Sequence, residues 1–512
     1  MLHEQEMATE AVTPAPRVYR DPLTWAIVSV VFGSYATLSL FGFFRLNPTT
    51  YDLALFTESV KQYAHFHAPI ADAKGAGTNL WGEHFSPAVA VLAPFYRVFP
   101  SAATLLVAQA LLTAASVFAV AATARARLGA GQARAIALAY GFSWGLQLMI
   151  HFEFHEVALA VPLLAFSLSA LVQGRLRACL LWALPLVFVK EDLGFTLVAL
   201  GLYLIVVGMR AGDNKRVGAG QFLVVWGLGW SCLAIAVIIP HFNPGHVYPF
   251  WHDGGISAGG HLSVLGVVQQ FFRDWPVKLL TLVMLLLPTA FVALRSPLAL
   301  VAVPGLLLRF VSANSVYWGP WWHYNATVMP ILFVAAIDGL ARISASIAAD
   351  ARGGAPDGTA HDNAALAWAA WASGSHGWGR AALAGAQRSG AAMMAAAAVS
   401  LAFQFPLSGL WNGQTYQISP HVAAANVAMA KVPSGVTVQT TLDLLASLAA
   451  RTDAFWIENP GNPPTQYIVF DNPGSGHSPP ITNVPAFIAG LYPAQHYTQI
   501  YSADGIYVFR RS

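Results

Sequence analysis

Residues 101–124 decide the class of fold, because they read SAATLLVAQALLTAASVFAVAATA and contain no charged side chain. An α-helix needs about 20 mostly apolar residues to cross the hydrocarbon core of a bilayer. This stretch is therefore predicted to be a transmembrane helix. Similar apolar runs, some of them shorter, recur along the chain, and about eleven spans are predicted. They are 23–44, 101–124, 133–150, 156–173, 177–190, 192–209, 221–240, 277–295, 297–311, 324–342 and 389–408.

The composition of the whole chain agrees with this prediction. Of its 512 residues, 56% are hydrophobic and only 10% are charged, and the mean hydropathy is +0.54. An average soluble domain has about 25% charged residues. The composition excludes a soluble enzyme, a disordered protein and a disulfide scaffold. The lipid bilayer is therefore a predicted partner of the chain. A net charge of +3 gives no reason to expect nucleic-acid binding.

The distribution of basic residues predicts the orientation in the plasma membrane. With the N-terminus in the cytoplasm, 15 of the 27 lysines and arginines fall in cytoplasmic segments, as expected for short loops. The odd number of spans then puts the C-terminus outside. The predicted divisions are a cytoplasmic tail 1–22, a transmembrane domain 23–342 with an outer loop 45–100, a flexible cytoplasmic loop 343–388, a last helix 389–410 and an extracytoplasmic domain 411–512.

The tail after residue 410 has the pattern of a small α/β domain. Short runs of alternating or β-branched residues predict strands, and Asp504-Gly505 between two such runs is a hairpin signal. The predicted strands are Val436–Thr441, Ala454–Glu458, Gln466–Asp471, Ile500–Tyr501 and Ile506–Phe509, with a helix at Leu442–Ala450. The fold class is thus an all-α polytopic membrane bundle with a small C-terminal α/β domain.

Ionisable residues in the membrane half concentrate in four places that the predicted topology puts at one outer surface. Such residues are costly at membrane depth and usually mark a functional site. The candidates are Asp52 and Glu58, then Glu83 and His84, then His151, Glu153, His155 and Glu156, and finally Lys190, Glu191 and Asp192.

Simpler explanations exist for parts of this pattern. Asp52 is well suited to be the N-cap of the helix that follows it. His151 and His155 have the i, i+4 spacing of metal ligands, but the His-Glu-x-x-His pattern of zinc proteases is absent, since Leu159 stands where its second histidine would be. Charged groups in a helical bundle also occur in transporters, which usually have two related halves. A non-catalytic scaffold of the cell envelope is the other alternative.

Several motifs resemble a bacterial family of predicted membrane proteins, domain of unknown function 2079. They are Tyr51–Phe56, Gly82–Pro87, Phe152–Glu156, Val189–Asp192 and the stretch around His323. The layout of that family is similar to the GT-C glycosyltransferases, which use polyprenyl-phosphate sugars. The resemblance implies a GT-C-like transmembrane domain, a polyprenyl-phosphate-linked donor, a glycan, lipid or protein acceptor, and a catalytic acid in the first outer loop, here Asp52.

The chemistry of such a transfer assigns roles to the candidates. Asp52 would take the proton of the acceptor hydroxyl, and Lys190, Arg309 or His84 would hold the leaving phosphate. The remaining candidates would bind substrate, and Glu153, His155 and Glu156 would orient hydroxyls or bind a divalent cation such as Mg²⁺ or Mn²⁺. Tryptophans near residue 320 would stack on a sugar or anchor the protein at the membrane interface. They are Trp318, Trp321 and Trp322.

Overall fold

The computed structural model describes residues 18–252, 264–351 and 377–512. Most of the predicted cytoplasmic tail and of the loop 343–388 lies outside these ranges. Within them, five helices are long and apolar enough to cross a membrane: Pro22–Phe44, Ala102–Leu128, Leu193–Ala211, Asn214–Phe242 and His323–Ile347. Each corresponds to a predicted span. Six shorter apolar helical segments are Pro87–Val98, Val157–Val172, Leu176–Val189, Trp275–Thr289, Pro297–Phe310 and Ser389–Ala402.

The predicted count of eleven spans is not confirmed, and several predicted spans, 133–150 and 177–190 among them, are not single helices. The run 133–150 forms two helices, Ala130–Gly141 and Trp144–His151. The chain breaks where the Ser143 backbone is extended. The Tyr35 hydroxyl donates to the Gly141 carbonyl at 2.5 Å, which satisfies a group that the break would leave without a partner. Continuous hydropathy does not reveal such a break.

Further helices of the described chain connect or extend these elements. They are Asp52–Ala64, Ala93–Val98, Leu176–Ala183, Leu186–Val189, Ile239–Phe242, Pro249–His252, Val264–Phe272, Trp275–Leu286, Val303–Phe310, Val328–Ala351, Gly377–Ala402, Pro420–Ala430, Leu442–Ala449 and Val484–Leu491. Helix Asp52–Ala64, called the loop helix below, follows the first span and is one of the elements that contact the tail domain.

Two consecutive helices, Leu193–Ala211 and Asn214–Leu233, pack through glycines. The glycines at their contact are Gly194, Gly201, Gly208, Gly220 and Gly227. A Cβ atom on Gly227 would lie 2.4 Å from the carbonyl oxygen of Gly194. Small residues let membrane helices approach this closely. One turn further along, the Ser231 hydroxyl donates to the Glu191 carbonyl at 2.6 Å, so this contact also fixes the charged turn before the first of the two helices.

The tail domain contains the predicted strands and helix. Its strands are β1 Thr437–Thr440, β2 Asp453–Trp456, β3 Tyr467–Asp471, β4 Tyr497–Ala503 and β5 Ile506–Arg511. The sheet order is β2-β1-β3-β5-β4, with β1 parallel to β2 and β3. β5 is antiparallel to β3 and β4, which confirms the hairpin predicted at Asp504-Gly505.

The tail domain packs directly on the loop helix. Leu55 shares a buried apolar cluster with Leu445 and Val438 of the tail. The Lys61 ammonium donates to the Thr452 carbonyl at 2.5 Å. These contacts place the tail domain and the start of the loop helix on the same side of the bundle.

Candidate functional site

A cavity of about 190 Å³ lies where the loop helix meets the ends of several membrane helices. Five of the candidates predicted from the sequence line it, together with aromatic and apolar side chains. The lining residues are Tyr51, Asp52, Leu55, Phe56, Leu80, Glu83, His84, Ser86, His155, Lys190, Tyr317 and Tyr324. Segments far apart in sequence therefore converge on one concave polar site, which is the usual form of a binding or active site.

Asp52 is the first residue of the loop helix, and its side chain faces the cavity. The alternative that Asp52 caps this helix is wrong, because Tyr51 is the N-cap and no side chain makes a capping hydrogen bond. Within the described ranges, no ion pair or hydrogen bond of the Asp52 carboxylate is found. Burial raises its pKa above the usual value, so the carboxylate is a stronger base than an exposed aspartate.

Glu83, the second acid of the cavity, differs from Asp52 because it has a cation beside it. Lys74 forms a close ion pair with Glu83. Burial raises the pKa of Glu83, but the charge and hydrogen bond of Lys74 together with the charges of His84 and Lys190 leave it lowered. Sequence reasoning missed Lys74, which has the appearance of an ordinary loop lysine. The pairing keeps Glu83 charged and makes it a weaker proton acceptor than Asp52.

Lys190 provides a positive charge at the cavity and belongs to a buried network. Its ammonium lies 3.1 Å from Glu156 Oε1, and His155 Nδ1 lies 2.7 Å from Glu156 Oε2. Glu156 is fully buried, and a buried carboxylate needs such partners. The network thus holds both His155 and Lys190 at the cavity wall.

His84 is held in the same way by a second buried acid. Its Nδ1 lies 2.9 Å from Glu191 Oε1, and the Tyr248 hydroxyl donates to the same oxygen at 3.0 Å. The Phe85 amide donates to Glu191 Oε2 at 3.1 Å. Burial and the Lys190 charge lower the pKa of His84, but the charge and hydrogen bond of Glu191 together with the Glu83 charge leave it raised. Glu191 positions His84 and does not line the cavity itself.

Three further candidates lie next to the lining. His323 stacks on His155 with ring centroids 3.9 Å apart. Glu153 has a left-handed backbone with φ of +73°, and burial raises the pKa of its carboxyl to about 8. Asp192 directly follows Glu191, and its charge interacts with that of Lys190. These three residues therefore lie beside the lining residues without lining the cavity themselves.

The structure does not bring three of the predicted residues to the cavity. Glu58 accepts from the amides of Ala73 at 2.9 Å and Ala454 at 3.1 Å, and so joins the loop helix to the tail domain. His151 is exposed, and its carbonyl accepts from Thr49. The third residue is Arg309, whose guanidinium donates its hydrogen bonds to acceptors of the neighbouring loop.

Arg309 instead holds the loop that carries two tyrosines of the cavity. Its guanidinium donates to the carbonyls of Tyr317 at 2.6 Å and Tyr324 at 3.1 Å. Tyrosines at a membrane interface are common, so sequence reasoning had no signal that distinguished these two. The nearby Trp318 is buried, whereas Trp321 is exposed, and neither lines the cavity.

A divalent cation held by Glu153, His155 and Glu156 stays a prediction. Both oxygens of Glu156 already face Lys190 and His155. In the part of the chain that the structure describes, the one group of three His, Cys, Asp or Glu side chains with metal-ligand proximity lies elsewhere, in the tail domain. Lys190 supplies a positive charge at the cavity.

Comparison with known proteins finds one matching family and similar solved structures. A family model described as "Predicted membrane protein (DUF2079)" matches residues 42–508. Among solved structures, the chain is similar to ArnT from Cupriavidus metallidurans bound to undecaprenyl phosphate, with 15% identity and a TM-score of 0.55. The apo state of that protein matches with 15% identity and a TM-score of 0.50. Each match covers 95% of this chain and 97% of the other. No curated protein matches the sequence. The likeness establishes an ArnT-like fold.

Proposed function

The chain belongs to the DUF2079 family of predicted membrane proteins, as its motifs predicted, and from this premise we propose that it is a membrane-embedded inverting glycosyltransferase. It moves a sugar from a polyprenyl-phosphate donor to an acceptor on the extracytoplasmic face. The observation that carries the proposal is that the unpaired Asp52 carboxylate and the Lys190 ammonium line the same cavity. The ArnT-like fold supports a lipid-linked donor.

The reaction needs a base, a phosphate ligand and a sugar-binding wall. Asp52 takes the proton of the acceptor hydroxyl as its oxygen attacks the anomeric carbon. The bond from that carbon to the phosphate oxygen breaks, its electron pair leaves with the polyprenyl phosphate, and the configuration inverts. Lys190 stabilises the negative charge on the departing phosphate. The His84 imidazole also lines the cavity and donates a hydrogen bond to the same phosphate.

The aromatic side chains of the cavity suit the sugar. Tyr51, Tyr317 and Tyr324 line it and offer both flat faces and hydroxyl groups. Tyr51 also stacks on Trp456 of the tail domain, with ring centroids 5.5 Å apart. The tail domain therefore contacts the cavity wall next to Asp52.

The experiment that tests the proposal compares cells with and without the gene. Polyprenyl-linked sugars and envelope glycans are extracted and quantified by mass spectrometry. We expect cells without the gene to accumulate one lipid-linked sugar and to lack one glycan modification. Identical profiles in both strains under conditions where the protein is produced would contradict a transferase and favour the scaffold alternative.

A further inference from the structure

The tail domain carries a second cluster of polar side chains, formed by His421, Asp443 and Asp471. One ring nitrogen and one oxygen of each carboxylate lie within 4.8 Å of one another. Asp471 is the last residue of β3, and Asp443 follows β1 by three residues. His421 is the second residue of helix Pro420–Ala430. Neither the motif resemblance nor the proposed transfer reaction involves these residues.

The cluster lies at a distinctive place in the sheet. β1 is parallel to both of its neighbours, β2 and β3. The chain leaves β1 toward β2 on one side and later reaches β3 on the other side. In open α/β sheets, ligands bind in the crevice beyond the carboxyl ends of the strands at such a reversal of strand order. Asp443 and Asp471 lie at this crevice.

The histidine ring is oriented for an electrophile at its Nε2 atom. His421 Nδ1 lies 2.9 Å from the carbonyl oxygen of Asp504, which accepts only if Nδ1 carries the hydrogen. Nε2 then faces Asp471 Oδ2 at 2.7 Å. A lone pair on Nε2 would repel that carboxylate oxygen, so at this distance a proton lies between them. A cation that replaced the proton would hold the same two atoms as ligands after they move slightly apart. Metal-ligating histidines typically donate their other N–H to a carbonyl in this way.

The two carboxylates also face each other at close range. A Cβ atom on Gly474 would lie 2.7 Å from Asp443 Oδ2 and 2.9 Å from Asp471 Oδ2, so only glycine leaves these oxygens room. Asp443 Oδ1 is buried and, among the described residues, has no hydrogen-bond partner. When both carboxylates are ionised, their two negative charges match the charge of one divalent cation.

We propose that His421, Asp443 and Asp471 bind a divalent transition-metal cation, with Zn²⁺ as the best fit. One imidazole nitrogen and two carboxylate oxygens are donors that Zn²⁺ accepts readily, whereas Mg²⁺ and Ca²⁺ prefer oxygen ligands alone. Three protein ligands leave a fourth position for water or another ligand. The cation would join helix Pro420–Ala430 to the edge of β1 and β3. This proposal is independent of the proposed function.

The test uses the full-length chain in lipid nanodiscs, stripped of metal with a chelator and then dialysed against Zn²⁺ or Mg²⁺. Metal content is measured by mass spectrometry and thermal stability by the unfolding temperature. We expect one equivalent of Zn²⁺, a higher unfolding temperature with Zn²⁺, and no such rise with Mg²⁺. Binding to the folded state raises stability in proportion to the logarithm of free ligand over the dissociation constant.

Variants separate a metal site from a pair of acids that share a proton. Asp443→Asn and His421→Ala should each weaken Zn²⁺ binding by more than the roughly 10- to 100-fold loss caused by changes outside the ligand sphere. Asp504→Asn is the matched control, because it removes a carboxylate 3.6 Å from His421 Nδ1 but keeps the carbonyl acceptor. It should bind Zn²⁺ nearly as well as the unaltered chain. Absence of Zn²⁺ binding, or equal binding by all three variants, would overturn the proposal.

Discussion

At the scale of single residues, Asp52 differs from the neighbouring acids Glu83 and Glu156 because it has no cationic partner in the described structure. Glu83 is paired with Lys74, and Glu156 with Lys190. A paired carboxylate is held in its charged form by its neighbour, whereas an unpaired and partly desolvated one gains from accepting a proton. The contrast favours Asp52 as the base over the two paired acids.

The raised pKa of Asp52 gives a pH dependence with a definite sign. The base acts only when ionised, so kcat/KM should rise with pH and reach its plateau above the usual aspartate value of 3.8. The negative charge of Glu83 contributes to the raised pKa of Asp52. Glu83→Gln should therefore retain activity and move the acid limb to lower pH, because the like charge is gone. Loss of all activity in this variant would instead identify Glu83 as the base.

Lys190 is predicted to hold the phosphate, and its ion pair with Glu156 makes a single substitution ambiguous. Lys190→Gln removes the phosphate ligand, but it also leaves a buried carboxylate without one partner, which is destabilising. The double variant Lys190→Gln with Glu156→Gln removes both charges. We expect it to fold well and to bind a polyprenyl-phosphate analogue about 10- to 100-fold more weakly, the scale of one lost charged hydrogen bond. Recovery of binding in the double variant would mean that the pair is only structural.

At the scale of elements, the glycine contact between the consecutive helices Leu193–Ala211 and Asn214–Leu233 supports the Lys190–Asp192 turn. Gly227→Ala would place a methyl group 2.4 Å from the Gly194 carbonyl oxygen, and the helices must separate. We expect a loss of roughly 1–3 kcal/mol in the free energy of unfolding. Gly229→Ala is the matched control, since its Cβ atom meets nothing within 4 Å. Equal stability of both variants in detergent would show that the close approach does not matter.

The elements differ in how far the sequence predicts them. The tail strands were predictable because alternating side chains and the Asp504-Gly505 turn are local signals. The break after Gly141 was not, because the apolar run continues through it and the Tyr35 hydroxyl that stabilises it comes from another helix. The close packing at Gly227 was also not predictable, because a glycine in an apolar run does not indicate which helix it will contact.

At the scale of the whole molecule, charged residues in apolar stretches of the sequence predict much of the cavity. Lys190 and His84 line it as their positions in the chain indicate. Arg309 and Glu58 are also charged residues near apolar stretches, but their side chains form hydrogen bonds that hold segments of the chain together. Charge alone does not distinguish a side chain that faces a cavity from one that ties two segments together, because both require burial. That difference depends on tertiary contacts.

The orientation of the molecule is a further prediction, and the contacts of the tail sharpen it. The tail domain touches the loop helix through Lys61 and Glu58, so the tail and the cavity face the same side. In a chain with Cys232→Ser, Ser434→Cys should react with a membrane-impermeant thiol reagent in intact cells, because Ser434 is exposed and predicted to be outside. Arg210→Cys, predicted to be cytoplasmic, should react only after lysis. The reverse pattern would put the cavity in the cytoplasm.

The most direct test of the central claim is the turnover of Asp52→Asn. The full-length chain is assayed in nanodiscs with the lipid-linked sugar that accumulates in cells lacking the gene, alongside Asp52→Glu, which keeps a base. Asparagine has the same shape but cannot accept the proton. We expect the unfolding temperature to stay unchanged and transfer to fall by roughly 100-fold or more, the scale of a lost general base, while Asp52→Glu retains part of the activity. A well-folded Asp52→Asn protein with near-normal transfer would contradict the assignment of Asp52 as the base.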